Sequence, residues 1–136
     1  MKNENITLEY NKSKCKIYHY KDINTVVLEW CGYSSHKEFV EACDFSLKLM
    51  VEKKGSKMIA NNLKAEVVTA RNQEWLTKIW FPKAYTQGYR ISAVLVSKNV
   101  FNQITVKQIV NKMDTGKFTV QFFTNLHEAI EWLKTV

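Results

Sequence analysis

The chain has 136 residues, a length that fits one compact unit and is short for two independent cores. Its 46% hydrophobic and 24% charged residues exclude a disordered tail, and four Gly with one Pro exclude collagen-like or linker-like sequence. Twenty basic against thirteen acidic side chains give +7, and seven of the basic groups fall between residues 75 and 117 beside one acid, Asp114. Such a local excess steers phosphate-rich or acidic partners. All but Arg71 and Arg90 are Lys, however, whereas bidentate base readout favours the guanidinium fork, so sequence-specific nucleic-acid binding is not expected. No run is apolar for the roughly 18 residues of a membrane span, and the opening residues lack the apolar core of a signal peptide. A cytoplasmic chain without a transmembrane segment is the expectation.

In chain order, residues 6–10 and 15–20 are short β-like runs separated by Asn11-Lys12-Ser13, and residues 24–30 follow after Lys21-Asp22, an antiparallel meander. Val26, Leu28 and Trp30 alternate with Val27 and Glu29, which buries one face of the third run. Ser35 with Glu38 fits a capping box, and Phe39, Cys43, Leu47 and Met50 recur at helical spacing, so a helix is expected to about Lys54 with Gly55 closing it. Residues 57–61 read as a short buried strand, and residues 63–68 as a loop.

Thr69 is the expected cap of a second helix carrying Trp75, Leu76, Ile79 and Trp80 toward the sheet. Pro82 interrupts it, which predicts a kink near Phe81 or a new helix with Pro82 in its first turn, closing at Gly88. Residues 91–96, apolar on both faces apart from Ser92, predict a central strand covered by helices. Val100, Phe101, Ile104, Val106, Ile109, Val110 and Met113 supply a third helical segment starting near Lys98, and residues 118–123 a last strand. Asn125 and Glu128 form another capping box before a terminal helix with Leu126, Ala129, Ile130 and Leu133 on one face. Three strands followed by alternating helix and strand predict one α/β domain over residues 1–136, a mixed sheet with helices packed on its faces.

Cys15, Cys31 and Cys43 are an odd set without a C-x-x-C spacing, which argues against disulfides and a zinc knuckle and makes all three small core hydrophobes. His19, His36 and His127 lack the i, i+4 spacing of helical metal ligands, so neither a metal nor a cofactor is expected.

Trp30-Cys31-Gly32 before a Ser-capped helix with Phe39, then Gln73-Glu74-Trp75, Trp80-Phe81-Pro82 and Glu128-Ala129-Ile130-Glu131-Trp132-Leu133 together resemble bacterial STAS/SpoIIAA-like proteins. The resemblance covers nearly the whole chain after Lys14. It implies the SpoIIAA-like fold of anti-sigma-factor antagonists, which dock on a partner protein and are switched by phosphorylation of a Ser at a helix start. The broader fold group is similar to CRAL-TRIO-type lipid-binding domains. This chain departs from the antagonists' Ser-Ser-Gly: it reads Ala60-Asn61-Asn62 and later Val68-Thr69-Ala70-Arg71, leaving Thr69 as the phospho-acceptor-like residue at a helix N-terminus.

Two functions follow as expectations. The first is a non-catalytic regulatory module that binds another protein, or a second copy as a homodimer, through Trp75, Trp80, Phe81 and Tyr85 beside Arg71, Lys78 and Lys83, with Trp80 or Phe81 partly exposed. The second is a module that holds a small apolar ligand or lipid between a helix and the sheet. An enzyme using carboxylates such as Glu66 and Glu74 is not expected, because nothing in the sequence positions or tunes them.

Overall fold

The computed structural model describes residues 5–66, 68–97 and 116–136. Within them a six-stranded sheet runs in strict sequence order, β1 (Ile6–Asn11), β2 (Cys15–Tyr20), β3 (Thr25–Gly32), β4 (Lys57–Ala65), β5 (Ile91–Leu95) and β6 (Thr119–Phe123). The first three strands are antiparallel neighbours and the last three each join the sheet in parallel. The steps from β3 to β4 and from β4 to β5 each move one place in the same direction, so right-handed crossovers put their two helical connections on one face. Accordingly α1 (His36–Glu52) shares one core with the helical run of residues 70–86. The terminal helix α4 (Leu126–Leu133) covers the opposite face.

Strand alternation divides the two cores. Val26, Leu28, Trp30, Met58 and Val94 face α1, whereas Val27, Ile59, Ala93 and Leu95 face Ala129 and Leu133 of α4. β5 lies between β4 and β6 with all but its first residue buried, as its apolar sequence predicts. The meander, the mixed sheet and the helix starts after Ser35, Thr69 and Asn125 agree with the sequence reading. The helical segment expected from residue 98 lies outside the described residues.

Four local expectations are corrected. β4 extends through Ala65, where a loop was expected from residue 63, because its later residues pair with Cys31 and Gly32 across a register shift. Helix α1 ends one residue earlier than the glycine suggests. Lys54 takes the left-handed position (φ 56°), and the amides of Lys54 and Gly55 donate to the carbonyls of Val51 and Met50, a Schellman closure. Gly55 is needed for approach instead: a Cβ there would sit 3.2 Å from the Asn24 carbonyl oxygen. Cys15 and Cys43 are buried as expected, but Cys31 is exposed, because it points away from the α1 face where the sheet is not covered.

Pro82 lies in the first turn of a new helix, as expected, and the fourth correction concerns the helix face just before it. The helical run starts as α2 (Ala70–Trp75), widens to a π turn over Leu76–Trp80, and continues as α3 (Phe81–Thr86). The Phe81 amide donates to the Leu76 carbonyl, five residues back. Proline has no amide to donate and its ring crowds the preceding turn, so the distortion falls in the turn before it. One extra residue per turn also changes the helix phase. Trp80, Phe81 and Ala84 all turn inward and Ile79, expected against the sheet, is 56% exposed. The run closes at Gly88 (φ 110°), with the Gly88 and Tyr89 amides on the Tyr85 and Ala84 carbonyls.

Candidate ligand cavity

On the α1 face the sheet carries rows of side chains, one of which is Leu28, Ala60 and Val94 in register across β3, β4 and β5. Ala60 is the small member of that row. α1 cannot close the space above it with Phe39 and Cys43, nor the π turn with Leu76 and Trp80, and a cavity of about 90 Å³ remains. Trp30, Phe39, Met58 and Phe81 complete its apolar wall, with Asn62 toward one end of the strands and Ser92 and Tyr89 toward the other.

The chemistry of this lining is neutral. Burial pushes the Cys43 thiol well above its ordinary range. It does the same to the Tyr89 phenol, only partly offset by a hydrogen bond with the Ser92 side chain. Both groups therefore keep their protons, and neither supplies a thiolate or phenolate.

A second, smaller hollow of about 30 Å³ shares Trp30, Phe39, Asn62 and Val68 with the first and opens at the carboxyl ends of β3 and β4, where Glu66, Ser34 and Asn72 line it. Asn72, 1% exposed, ties the two helix starts together. Its side-chain amide donates to the Ser34 carbonyl (3.2 Å), its oxygen meets His36 Nδ1 (2.9 Å), and its backbone amide donates to Thr69 Oγ1 (3.1 Å). Because the Asn72 oxygen can only accept, His36 carries its proton on Nδ1.

The residues singled out by sequence now divide. Thr69 serves as the N-cap of α2 and is half-buried. Arg71 is exposed, Lys78 pairs with Glu74 at 2.9 Å, and Lys83 pairs with Asp44 at 3.4 Å. Trp75 is half-buried, its ring edge-on to Phe39 and His36 at 6.1 and 6.2 Å. Tyr85 lies under the Arg90 guanidinium at 3.7 Å. Trp80 and Phe81 are 4% and 8% exposed, so the expectation that one of them is open to a partner is overturned. They wall the cavity instead. Glu66 lines the smaller hollow while Glu74 is held on the outer helix surface by Lys78, so these carboxylates do not flank a common cleft.

Ala60, Asn62 and Asn72 were not singled out as functional by their sequence pattern. The signal for the first two is positional: a small and then a polar residue occupy inward positions of a strand whose other inward residue, Met58, is large and apolar. Among the described residues no group of three or more His, Cys, Asp or Glu could hold a metal ion, and no helix is long and apolar enough to cross a membrane. The chain matches no family model, no curated protein and no solved structure.

Proposed function

We propose that the chain is a non-catalytic regulatory module of the STAS/SpoIIAA-like type that works by holding a small apolar ligand between its helices and its sheet. The observation that carries this reading is the cavity over Ala60, walled by Trp30, Phe39, Trp80 and Phe81. Apolar pockets with a few polar groups are the usual form of small-molecule sites. A π turn in the wall adds support, since such turns recur where a helix borders a functional site. The protonated state of Cys43 and Tyr89 favours binding over catalysis, because neither presents a base or nucleophile to an occupant. The sequence-ordered parallel strands and the Ser35-capped helix after Trp30-Cys31-Gly32 are consistent with the SpoIIAA-like resemblance.

A native mass spectrum of protein purified from its own host tests the reading. A bound mass that is lost on denaturation is expected, and protein carrying no added mass under gentle ionisation contradicts it.

Docking of a protein partner or a second copy on the outer side of the 70–86 run is a second reading, favoured by the exposure of Ile79 beside Lys78, with Arg71 and Lys83 on the same run. Ile79 replaces Trp80 and Phe81 as its apolar anchor. Replacing Ile79 by Glu separates the two readings: loss of partner capture with ligand mass retained favours docking, and loss of neither leaves the cavity as the functional site.

A further inference from the structure

The cavity is selective in charge and in size, and both limits are set by the residues that line it. Among the described residues its lining includes no Asp, Glu, Lys, Arg or His, and the two titratable members among them, Cys43 and Tyr89, are held neutral by burial. A charged occupant would lose its hydration with no counter-charge among these residues to replace it. Glu66 lines the neighbouring hollow at the carboxyl ends of β3 and β4, where it would repel a carboxylate or phosphate approaching from that side. Polar side chains nevertheless stand at both ends, Asn62 with its amide on the Ala60 carbonyl (3.4 Å) and Ser92 with its hydroxyl on Tyr89.

Size is bounded by register. Met58 pairs with Ser92, Ala60 with Val94, and Asn62 follows two residues beyond Ala60. The rows bearing Ser92 and Asn62 are therefore separated by roughly 13 Å of strand at ~3.3 Å per residue, much of it filled by side chains. The volume of about 90 Å³ lies below the roughly 150 Å³ of an engineered apolar cavity that takes benzene. The occupant is therefore at most the size of a single ring, and an acyl chain does not fit. Trp30 and Phe39, whose rings stack on each other at 5.0 Å, make part of the wall aromatic.

From these limits we infer that the ligand is an uncharged, single-ring molecule carrying one hydrogen-bonding group, of the class of a phenol, and neither a fatty acid nor a phospholipid. The inference rests on the ligand-binding reading above and narrows it.

Calorimetric titration of the full chain with benzene, phenol, benzoate and laurate tests it. Phenol should bind at least tenfold more tightly than benzoate or laurate. Replacing Ala60 by Ile, which fills the floor of the cavity, should weaken phenol binding at least tenfold while the cooperative melt persists. Ala60→Val is the smaller substitution to use if the isoleucine variant does not fold. Benzoate or laurate binding as tightly as phenol, with sensitivity to the Ala60 substitution, overturns the neutral single-ring class and leaves the ligand reading standing. Phenol binding that is unchanged in a folded Ala60 variant overturns the placement over Ala60. Absence of binding by all four probes, together with no bound mass in the native spectrum, overturns both.

Discussion

The indole N–H of Trp80 donates a 3.2 Å hydrogen bond to the main-chain carbonyl of Cys43. That carbonyl lies in the middle of α1 and also accepts from the Ser46 hydroxyl at 2.7 Å, so the π turn is fastened to α1 directly above the cavity. Trp80→Phe removes the donor without orphaning the carbonyl, and a loss of about 1 to 2 kcal/mol in denaturant unfolding is expected. Trp80→Ala removes the wall as well and should cost about 3 to 5 kcal/mol. Equal midpoints for the wild type and the phenylalanine variant would show that the hydrogen bond contributes nothing.

Phe81 contacts Trp80 and Phe118 within the core, at ring separations of 5.5 and 5.9 Å. Phe81→Glu places a carboxylate in an apolar site without a partner, so the thermal transition should collapse, with a loss above about 4 kcal/mol. Ile79→Glu, on the outer surface, should move the midpoint by no more than about 0.5 kcal/mol. A stable Phe81→Glu protein would return this residue to the surface where its sequence context first suggested it.

This pair of residues shows what the sequence could and could not carry. Strands and helix starts were legible because alternation at Val26, Leu28 and Trp30, and caps at Ser35, Thr69 and Asn125, are local signals. The inward or outward sense of residues 79–81 was not, because a π turn inserts a residue and rotates the face that 3.6-residue spacing assigns. The cavity was likewise hidden, since Ala60 is conspicuous only once β3 and β5 place Leu28 and Val94 beside it. The length of β4 beyond residue 61 depended on pairing with Cys31 and Gly32, which is a long-range relationship.

Lys54 holds a left-handed backbone conformation (φ 56°) that costs a residue with a Cβ about 1 kcal/mol or more. Lys54→Gly should therefore raise the unfolding midpoint by about 0.5 to 1 kcal/mol. The neighbouring Gly55→Ala should lower it, because the new methyl meets the Asn24 carbonyl at 3.2 Å. Measured together by urea titration, effects of the same sign would contradict the assignment of the cap to Lys54.

The thiols report burial and pH dependence together. Cys31 is exposed and should react with a thiol reagent in the native state, while Cys15 and Cys43 should react only on unfolding. Burial raises the native pKa of Cys15 and Cys43, and that of Tyr89. The unfolded chain therefore releases these protons at lower pH than the native chain does. Their contribution is fully present below the unfolded thiol range and declines as pH rises above about 8.5. Denaturant midpoints from pH 7 to 10 should fall along this course, and less steeply in a folded Cys43→Ala variant. An identical slope in that variant would remove Cys43 from the account.

The cavity over Ala60 is tested most directly by a methyl-resolved NMR titration of the full chain with phenol. The methyl signals of Leu28, Met58, Leu76 and Val94, which surround that residue, should shift together and saturably, while the exposed methyls of Ile79 and Leu8 stay in place. Shifts confined to surface methyls such as Ile79, or a saturable response that leaves those four signals unmoved, would contradict the claim that this space is the binding site.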